Sequence, residues 1–253
     1  MSKPVFSLQN ITVTVGDNVR ILDNLNFDIF DGDFITVLGT NGAGKSTLFN
    51  TIAGNLKIAS GVLKHHDKNI ANDSAVSRTD YIARVFQDPK MGTAPRMTVA
   101  ENLLLAEKRG KKRTLHSRGL TKEKLTEYAN ITKVMGNNLD TRLQTATGNL
   151  SGGQRQALSL LMATITKPEL LLLDEHTAAL DPKTSKQLMH LTEQRIEEGN
   201  LTCLMITHRM EDALRYGNRL IVLQKGKIVQ DLNAAEKAQL TLQDLLLFFE
   251  EVE

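Results

Sequence analysis

Hydrophobic and polar residues alternate in the first part of the chain, and this alternation predicts β-strands. The pattern runs from Phe6 to Val15, ends at a polar turn, and returns from Ile21 to Phe30. Two other runs, Phe34–Leu38 and Leu170–Leu173, are almost continuously apolar. A strand that is buried on both faces has this composition, so both runs predict central strands of a parallel sheet.

A helical pattern interrupts these strands in the middle of the chain. It extends from about Pro89 to Met162, and a helix is expected to start near Thr98 with a capping box. Strands and helices then alternate again, which predicts an α/β fold with a mainly parallel sheet and helices on both faces. A hairpin is expected over Arg219–Leu232 and an amphipathic, acidic helix over Leu240–Val252. We expect a single domain over 1–253, with a core of 1–88 and 163–232, a helical subdomain of 89–162 and a C-terminal amphipathic helix over 233–253.

Composition narrows the functional class only slightly. The 253 residues are 41% hydrophobic and 24% charged, as in an ordinary globular protein. A net charge of +2 is too small to indicate nucleic-acid binding, and we expect none. The single cysteine, Cys203, lies in an apolar run and is expected to be a buried structural thiol. No window approaches the ~20 apolar residues of a membrane span, and the N-terminus does not resemble a signal peptide, so any membrane role is expected to act through a partner.

A phosphate-binding loop is the most specific motif of the sequence. It follows the strand Phe34–Leu38 and consists of Gly39, Thr40, Asn41, Gly42, Ala43, Gly44, Lys45 and Ser46, the pattern G-x-x-x-x-G-K-[ST]. Glycines allow backbone N–H groups to approach phosphate oxygens, and the helix that starts near Thr47 directs its positive dipole end to the same anion. Lys45 would contact the β- and γ-phosphates and Ser46 would bind Mg²⁺. The alternative is a glycine-rich turn that matches by chance.

Two carboxylates end the second apolar strand. Asp174 stands where a side chain beside a phosphate loop can hold Mg²⁺ through water. Glu175 can polarise the water that attacks the γ-phosphate. The alternative is a pair of exposed acidic residues at the end of a strand.

A second potential anion site follows Leu150. It consists of Ser151, Gly152, Gly153 and Gln154, a serine cap with two glycines at the start of a helix. One chain seldom needs two such sites for one nucleotide, so we expect the second to serve a nucleotide bound to a partner subunit. A plain capped helix is the alternative, but it does not account for the adjacent glycines.

These motifs together resemble the ATPase subunit of an ABC transporter. The resemblance extends from Phe6 to about Leu232, and its motifs follow in the family's order: Gly39–Ser46, Gln87, Leu150–Gln154, Leu170–Glu175, Ala179–Asp181 and His208. It implies a P-loop NTPase (RecA-like) core with an N-terminal antiparallel β-sheet and an inserted α-helical subdomain. It also implies ATP and Mg²⁺ as cofactors, and a head-to-tail homodimer with two nucleotides between the phosphate loop of one subunit and Ser151 of the other.

The resemblance assigns roles to three further residues. Gln87 resembles the Q-loop glutamine, which would contact Mg²⁺ and the attacking water and couple the core to the helical subdomain. His208 resembles the switch histidine that contacts the γ-phosphate, although a lone histidine can also be a satisfied core residue. Asp181 resembles the D-loop aspartate that reaches the other subunit.

The chain departs from the common family pattern at two positions. His176 stands where many relatives have proline, and Val15 stands where an aromatic residue usually stacks on adenine. The run Leu171–Pro182, together with Met91–Pro95, is similar to a subgroup of bacterial ATPases that are paired with a binding lipoprotein and a permease. Some members of that subgroup are linked to tryptophan or tyrosine uptake.

The resulting hypothesis is an ATPase that powers a membrane importer of an amino-acid-like solute. It implies permease subunits, an indirect lipoprotein partner and a location in the cytoplasm at the inner face of the membrane. A soluble ABC ATPase in cofactor assembly or repair is the alternative, and a non-enzymatic binding module is disfavoured by intact Lys45 and Glu175. The basic run Lys108–Arg113 is expected to be a solvated loop, with contact to anionic lipids as the alternative.

Overall fold

The computed structural model describes residues 3–16, 19–111 and 119–250, which form two β-sheets surrounded by helices. The larger sheet has six strands in the order β10-β9-β3-β8-β7-β6, and all neighbours are parallel except β9 and β10. Its strands are β3 (Phe34–Leu38), β6 (Ile82–Val85), β7 (Leu170–Asp174), β8 (Cys203–Ile206), β9 (Arg219–Gln224) and β10 (Lys227–Leu232). The predicted central strands and the hairpin turning at Lys225 and Gly226 are confirmed.

The smaller sheet is antiparallel and has the order β2-β1-β4-β5. Its strands are β1 (Phe6–Val15), β2 (Val19–Ile29), β4 (Ser60–His65) and β5 (Lys68–Asn69). The predicted α/β class with an antiparallel sheet at the N-terminus is therefore confirmed. The second strand begins before Ile21, where the pattern placed its start, because Val19 pairs with Val15 across the turn.

Side chains of β7 alternate between the two faces of the large sheet and so enter two different hydrophobic clusters. Leu170 and Leu172 face the cluster shared with the antiparallel sheet and the first helix, whereas Leu171 and Leu173 face the cluster of the helical region. All four are fully buried. Cys203 on the neighbouring strand is buried as predicted, and burial raises the pKa of its thiol well above the ordinary value.

Helices cover both sides of the large sheet. In chain order they are α1 (Lys45–Ile52), α2 (Ala75–Arg78), α3 (Val99–Glu107), α4 (Lys122–Val134), α5 (Gly152–Thr164), α6 (Pro182–Gly199), α7 (Met210–Arg215), α8 (Ala234–Lys237) and α9 (Leu242–Glu250). Those from α3 to α5 lie between β6 and β7 in the chain and form the helical lobe. The predicted capping box at Thr98 is present, with Glu101 as its partner.

The segment between Gln87 and Thr98 is a loop, although the helical pattern began near Pro89. The fully buried Asn102 of α3 holds this loop: its amide accepts a hydrogen bond from the N–H of Ala94 at 2.8 Å and donates to the carbonyls of Met97 and Thr98. The loop is thus fixed to the first helix of the lobe.

The C-terminal part forms two helices where the sequence pattern predicted one. A break at residues 238–241 separates α8 from α9, and the hydroxyl of Thr241 accepts a hydrogen bond from the N–H of Asp244 at the start of the second helix. Leu245 buries against β9 and α7. Residues 251–253 of the predicted tail helix lie outside the described residues. Within the described ranges, no helix combines the length and apolar content that crossing a bilayer requires.

The basic run at the end of α3 is only partly within the described residues, because Lys112 and Arg113 lie outside them. Arg109 is not solvated as the run predicted: its guanidinium donates to the carbonyls of Ala163 and Thr166, at 3.2 and 2.7 Å. Burial lowers the pKa of Arg109 from its ordinary value. This residue therefore anchors the end of α3 to the end of α5.

Candidate nucleotide site

The phosphate loop connects β3 to α1, as the motif requires. Gly44 is the N-cap of α1 and has φ of +105°, a conformation that costs glycine little and other residues much. Gly39 has a different reason to be glycine: a Cβ at this position would stand 2.4 Å from the carbonyl oxygen of Leu223. The loop is thus held between the sheet and the start of the helix, and the positive end of the helix dipole faces an anion that enters the loop.

Lys45 is the buried cation of this loop. Its Nζ donates to the carbonyls of Gly39 and Thr40, at 2.6 and 3.0 Å. Burial lowers the pKa of Lys45, and the nearby carboxylates of Glu175 and Asp174 oppose this shift. An ammonium group held at this point pairs with phosphate oxygens that approach the loop.

Glu175 and His208 meet at the carboxyl edge of the large sheet. Glu175 follows β7 and His208 follows β8 closely, and His208 Nε2 lies 2.5 Å from Glu175 Oε1. Glu175 has φ of +46°, a strained conformation of the kind that occurs at functional sites. The N–H of Glu175 donates to the carbonyl of Ile206 at 3.2 Å, which fixes the turn.

A cavity of about 300 Å³ joins this pair to the phosphate loop. The described residues that line it are Ile21, Asn41, Gly42, Ala43, Gly44, Lys45, Ser46, Thr47, Glu175 and His208. The structure therefore brings together the predicted phosphate-binding residues, the predicted general base and the predicted switch histidine. None of these lining residues is a phenylalanine, tyrosine or tryptophan, and Val15 at the end of β1 is 44% exposed.

Asp174 is paired with a residue that the sequence analysis did not identify. Its Oδ2 accepts a hydrogen bond from Arg84 of β6 at 2.5 Å, and both side chains are only 12–13% exposed. Arg84 also donates to Asn50 Oδ1 of α1 at 2.6 Å. A charged residue inside the apolar strand Ile82–Val85 was the signal that could have indicated a polar partner nearby.

Ser151 caps α5 at a separate place on the surface. Ser151 Oγ accepts from the N–H of Gln154, and Gln154 Oε1 accepts from the N–H of Ser151, which is a complete capping box. Gln154 also donates to the carbonyl of Asn137 at 2.8 Å. Asn137 and Asn138, both with φ of +56°, line the surface depression that also contains Ser151. The sequence patterns did not identify these two residues.

Asp181 lies beside Ser151 in this depression of about 430 Å³, which Gly152, Gly153, Gln154 and Thr184 also line. Its carboxylate caps α6 by accepting from the N–H groups of Lys183 and Thr184, each at 3.1 Å. Hydrogen bonds with the side chain and backbone of Thr184 lower the pKa of Asp181. Among the described residues, none lines both this depression and the phosphate-loop cavity.

Gln87 lines neither the phosphate-loop cavity nor the depression around Ser151. It is exposed and directly follows Phe86, whose carbonyl accepts a hydrogen bond from Gln156 of α5 at 2.9 Å. His176, beside Glu175, points into the interior: its Nε2 lies 2.9 Å from the hydroxyl of Thr192, and burial lowers its pKa to about 4. The histidine that stands here in place of the proline of many relatives is therefore neutral and buried between β7 and α6.

A parallel sheet that carries a phosphate loop at one strand, a carboxylate pair at another and a helical lobe between them defines a nucleotide-hydrolysing P-loop protein of the ATP-binding-cassette class. The family model described as "ABC transporter" matches residues 22–178, and the chain belongs to this family. It is accordingly an ATPase and an ATP-binding subunit of a transporter. This identification confirms the resemblance deduced from the motifs and the P-loop fold.

Two curated relatives are similar over most of the chain. A tyrosine transport ATP-binding protein of Clostridioides difficile is 45% identical over 93% of this chain and 93% of its own length. A spermidine/putrescine import ATP-binding protein of Haemophilus ducreyi is 33% identical over 90% of this chain, which spans 58% of that longer protein.

Solved structures of ATP-binding cassettes share the fold. A nucleotide-free cassette from an ABC transporter superposes with a TM-score of 0.78, at 28% identity and 99% coverage of both chains. A dimeric cassette in a post-hydrolysis state, bound to ADP and Pi, has a TM-score of 0.75 at 26% identity, with 90% of this chain and 98% of that chain covered.

Proposed function

We propose that this chain hydrolyses ATP to power a membrane importer of an amino-acid-like solute. It would act at the cytoplasmic face of the membrane, as a head-to-tail homodimer bound to permease subunits that receive solute from a binding lipoprotein. The observation that carries the proposal is the separation of the two depressions: one chain holds the phosphate loop with Glu175 and His208 at one place, and Ser151 with Asp181 at another.

The separation supports a dimer in which each ATP is enclosed by two subunits. Ser151 is exposed at the start of α5, where the positive end of the helix dipole suits a phosphate group. The phosphate loop of the same chain already provides such an environment for one nucleotide. Two copies arranged head to tail would place the capped helix of each against the γ-phosphate bound to the other. The dimeric post-hydrolysis cassette among the structural relatives is in keeping with this arrangement.

Three residues would hold Mg²⁺: Ser46 lines the phosphate-loop cavity, Asp174 ends β7, and Gln87 follows the neighbouring strand β6. The hydroxyl of Ser46, the amide of Gln87 and the carboxylate of Asp174 are hard oxygen donors, the type that Mg²⁺ prefers. Bound there, Mg²⁺ would neutralise charge on the β- and γ-phosphates. In the hydrolysis we propose, Lys45 and the loop hold the phosphates, and Glu175 accepts a proton from the attacking water. The water oxygen bonds to the γ-phosphorus as the bond from that phosphorus to the bridging oxygen breaks, which gives phosphate and ADP, and His208 keeps Glu175 oriented.

A groove of about 590 Å³ beside Gln87 supports a permease contact. Its walls come from the core, from the loop after Gln87 and from the helical lobe, and include Phe86, Met91, Leu105 and Met162. Met91 is 69% exposed, an unusual position for a large apolar side chain in a loop that Asn102 holds firmly. A permease segment seated here would move with the residue that follows Phe86.

The importer role and the solute class rest on the relatives. One of them is a tyrosine transport protein and the other is an import protein for polyamines, and the first covers almost the whole chain. An amino-acid-like solute is the choice that agrees with the more similar of the two.

Met91→Asp tests the permease contact. In proteoliposomes with its permease and binding lipoprotein, we expect this variant to lose ATP-driven uptake, while the isolated subunit keeps its ATPase rate. Val134→Asp, which changes an exposed apolar residue at the end of α4 outside the groove, is the matched control. An equal loss of uptake and isolated ATPase would refute the coupling role of the loop. An ATPase that associates with no permease would favour cofactor assembly or repair.

A further inference from the structure

A cluster of two histidines and a glutamate lies far from the nucleotide site. His65 ends β4, His66 follows it in the turn to β5, and Glu169 directly precedes β7. The Nε2 atoms of His65 and His66 lie 3.0 and 2.9 Å from the same oxygen, Glu169 Oε2. All three potential ligand atoms lie within 4.8 Å of one another. The nucleotide chemistry uses none of these residues.

The fold holds two of the three groups in place before any ligand binds. The ring of His65 is stacked against Tyr81, with centroids 4.0 Å apart, and against Phe6 at 4.8 Å. The N–H of Glu169 donates to the carbonyl of Tyr81 at 2.9 Å. His66 is 58% exposed and has φ of +51°, so its ring closes the cluster from the solvent side.

We propose that His65, His66 and Glu169 bind a divalent transition-metal ion of the zinc type. Two imidazole nitrogens and one carboxylate oxygen form a donor set that suits such ions and disfavours Mg²⁺ and Ca²⁺. In a tetrahedral zinc site, ligand bonds of 2.0–2.2 Å place the ligand atoms roughly 3.4 Å apart. The carboxylate-to-imidazole distances here are already close to that value, so an ion needs only a small opening of the cluster. His66 and Glu169 are 58% and 46% exposed, so water can reach the ion as a fourth ligand.

The ion joins two parts of the fold. The histidines belong to the antiparallel sheet, and Glu169 belongs to the start of β7 in the large sheet, 103 positions further along the chain. The five-residue strand β7 separates Glu169 from Glu175 by roughly 17 Å or more, at about 3.3 Å per residue. The site is therefore a clip between the two sheets, and its ion takes no part in hydrolysis.

Calorimetric titration of the full-length protein with Zn²⁺, in a nucleotide-free buffer, tests the assignment. We expect one equivalent of Zn²⁺ to depend on this cluster, and His66→Ala to weaken that binding at least tenfold. Glu169→Gln is the second variant: it can keep a hydrogen bond with a histidine, but it removes the charged ligand. His190→Ala, which removes an exposed histidine on α6, is the matched control and should bind Zn²⁺ as wild type does.

Two further measurements separate the cluster from other zinc-binding groups, such as Glu175 and His208. Co²⁺ in place of Zn²⁺ should give the visible absorption of a four-coordinate site, and this signal should be absent in His66→Ala. Saturating Zn²⁺ should raise the midpoint of thermal unfolding of wild type by roughly 5 °C and leave that of His66→Ala unchanged. The same Zn²⁺ stoichiometry and affinity in wild type and in both cluster variants would overturn the proposal, as would no binding by wild type.

Discussion

The guanidinium of Arg84 lies 2.5 Å from the carboxylate of Asp174, and the same guanidinium bonds to Asn50 of the helix that follows the phosphate loop. One cation thus connects the strand before Gln87, the carboxylate assigned to Mg²⁺ and the helix after Lys45. The pair is almost buried, and a buried charge that loses its partner is strongly destabilising.

Replacing Arg84 with methionine should therefore reduce stability in a way that Mg²⁺ partly corrects. We expect the variant to lose about 3 kcal/mol of unfolding free energy in EDTA, because Asp174 keeps its charge without its hydrogen-bonded partner. Mg²⁺ with a non-hydrolysable ATP analogue should recover more stability in the variant than in wild type. Denaturant unfolding in both conditions measures this. Lys68→Met breaks an exposed pair with Asp73 and should change little.

Glu175→Gln should separate ATP binding from hydrolysis. Glutamine cannot accept the proton of the attacking water, so kcat should fall at least about 100-fold, while the phosphate contacts and ATP affinity are retained. Lys45→Ala should instead weaken ATP binding, because it removes the charge that pairs with the phosphates. Steady-state hydrolysis and nucleotide titration distinguish the two effects. Glu197→Gln, an exposed change on α6, is the control, and near-normal turnover by Glu175→Gln would assign the base elsewhere.

Ser151 should act on the nucleotide of the partner subunit. Homodimers of Ser151→Arg or of Lys45→Ala should both be inactive. An equimolar mixture should regain hydrolysis, because one composite site of each mixed dimer keeps an intact phosphate loop and an intact capped helix. ATPase assays of the two variants, alone and mixed, provide the measurement. A mixture that remains as inactive as its components would exclude sites shared between subunits.

The phosphate loop, the carboxylates after β7 and the cap at Ser151 could be predicted because each is a local pattern in which neighbouring residues act together. Arg84 could not, because its contact with Asp174 depends on the register of β6 against β7, in which Arg84 faces Leu172. His65 and Glu169 meet only after the two sheets pack. The tail was predicted as one helix over 233–253, although its amphipathic pattern begins only at Leu240, and the cap at Thr241 starts a separate helix there.

His176 should make the stability of the protein depend on pH. Its folded-state pKa of about 4 is below the unfolded value, so the unfolded state binds more protons as the pH falls from 6.5 towards 4. Stability is therefore complete near pH 7 and decreases through this range, by about 2 kcal/mol from this group at pH 5. Urea unfolding of wild type and His176→Gln at pH 7 and pH 5 measures the difference. Equal pH dependence of the two proteins would contradict the assignment.

Base selectivity should be weak in the isolated subunit, because no described residue that lines the phosphate-loop cavity is a phenylalanine, tyrosine or tryptophan. Stacking of a base on an aromatic ring is worth about 1–3 kcal/mol. Without it, binding depends on the phosphates and Mg²⁺, which ATP and GTP share. We expect similar affinities for both nucleotides, and tighter ATP binding by Val15→Tyr at the exposed end of β1. Calorimetry on wild type and variant measures both. A strong ATP preference in wild type would identify another residue that holds the base.

The hydrogen bond that Gln156 donates to the carbonyl of Phe86 would couple the two nucleotide sites of a dimer. This bond attaches Phe86, the neighbour of Gln87, to α5. Gln156 and the N-cap Ser151 are about 7 Å apart along the axis of that helix. In a head-to-tail dimer, the first part of α5 would transmit a displacement of Phe86 near one nucleotide to Ser151, which would contact the other nucleotide. The same helix of the partner would transmit a displacement in the opposite direction, so each nucleotide site would be connected to the other through both chains. Closure around one nucleotide would therefore favour closure around the other, while each composite site could still complete its own hydrolysis.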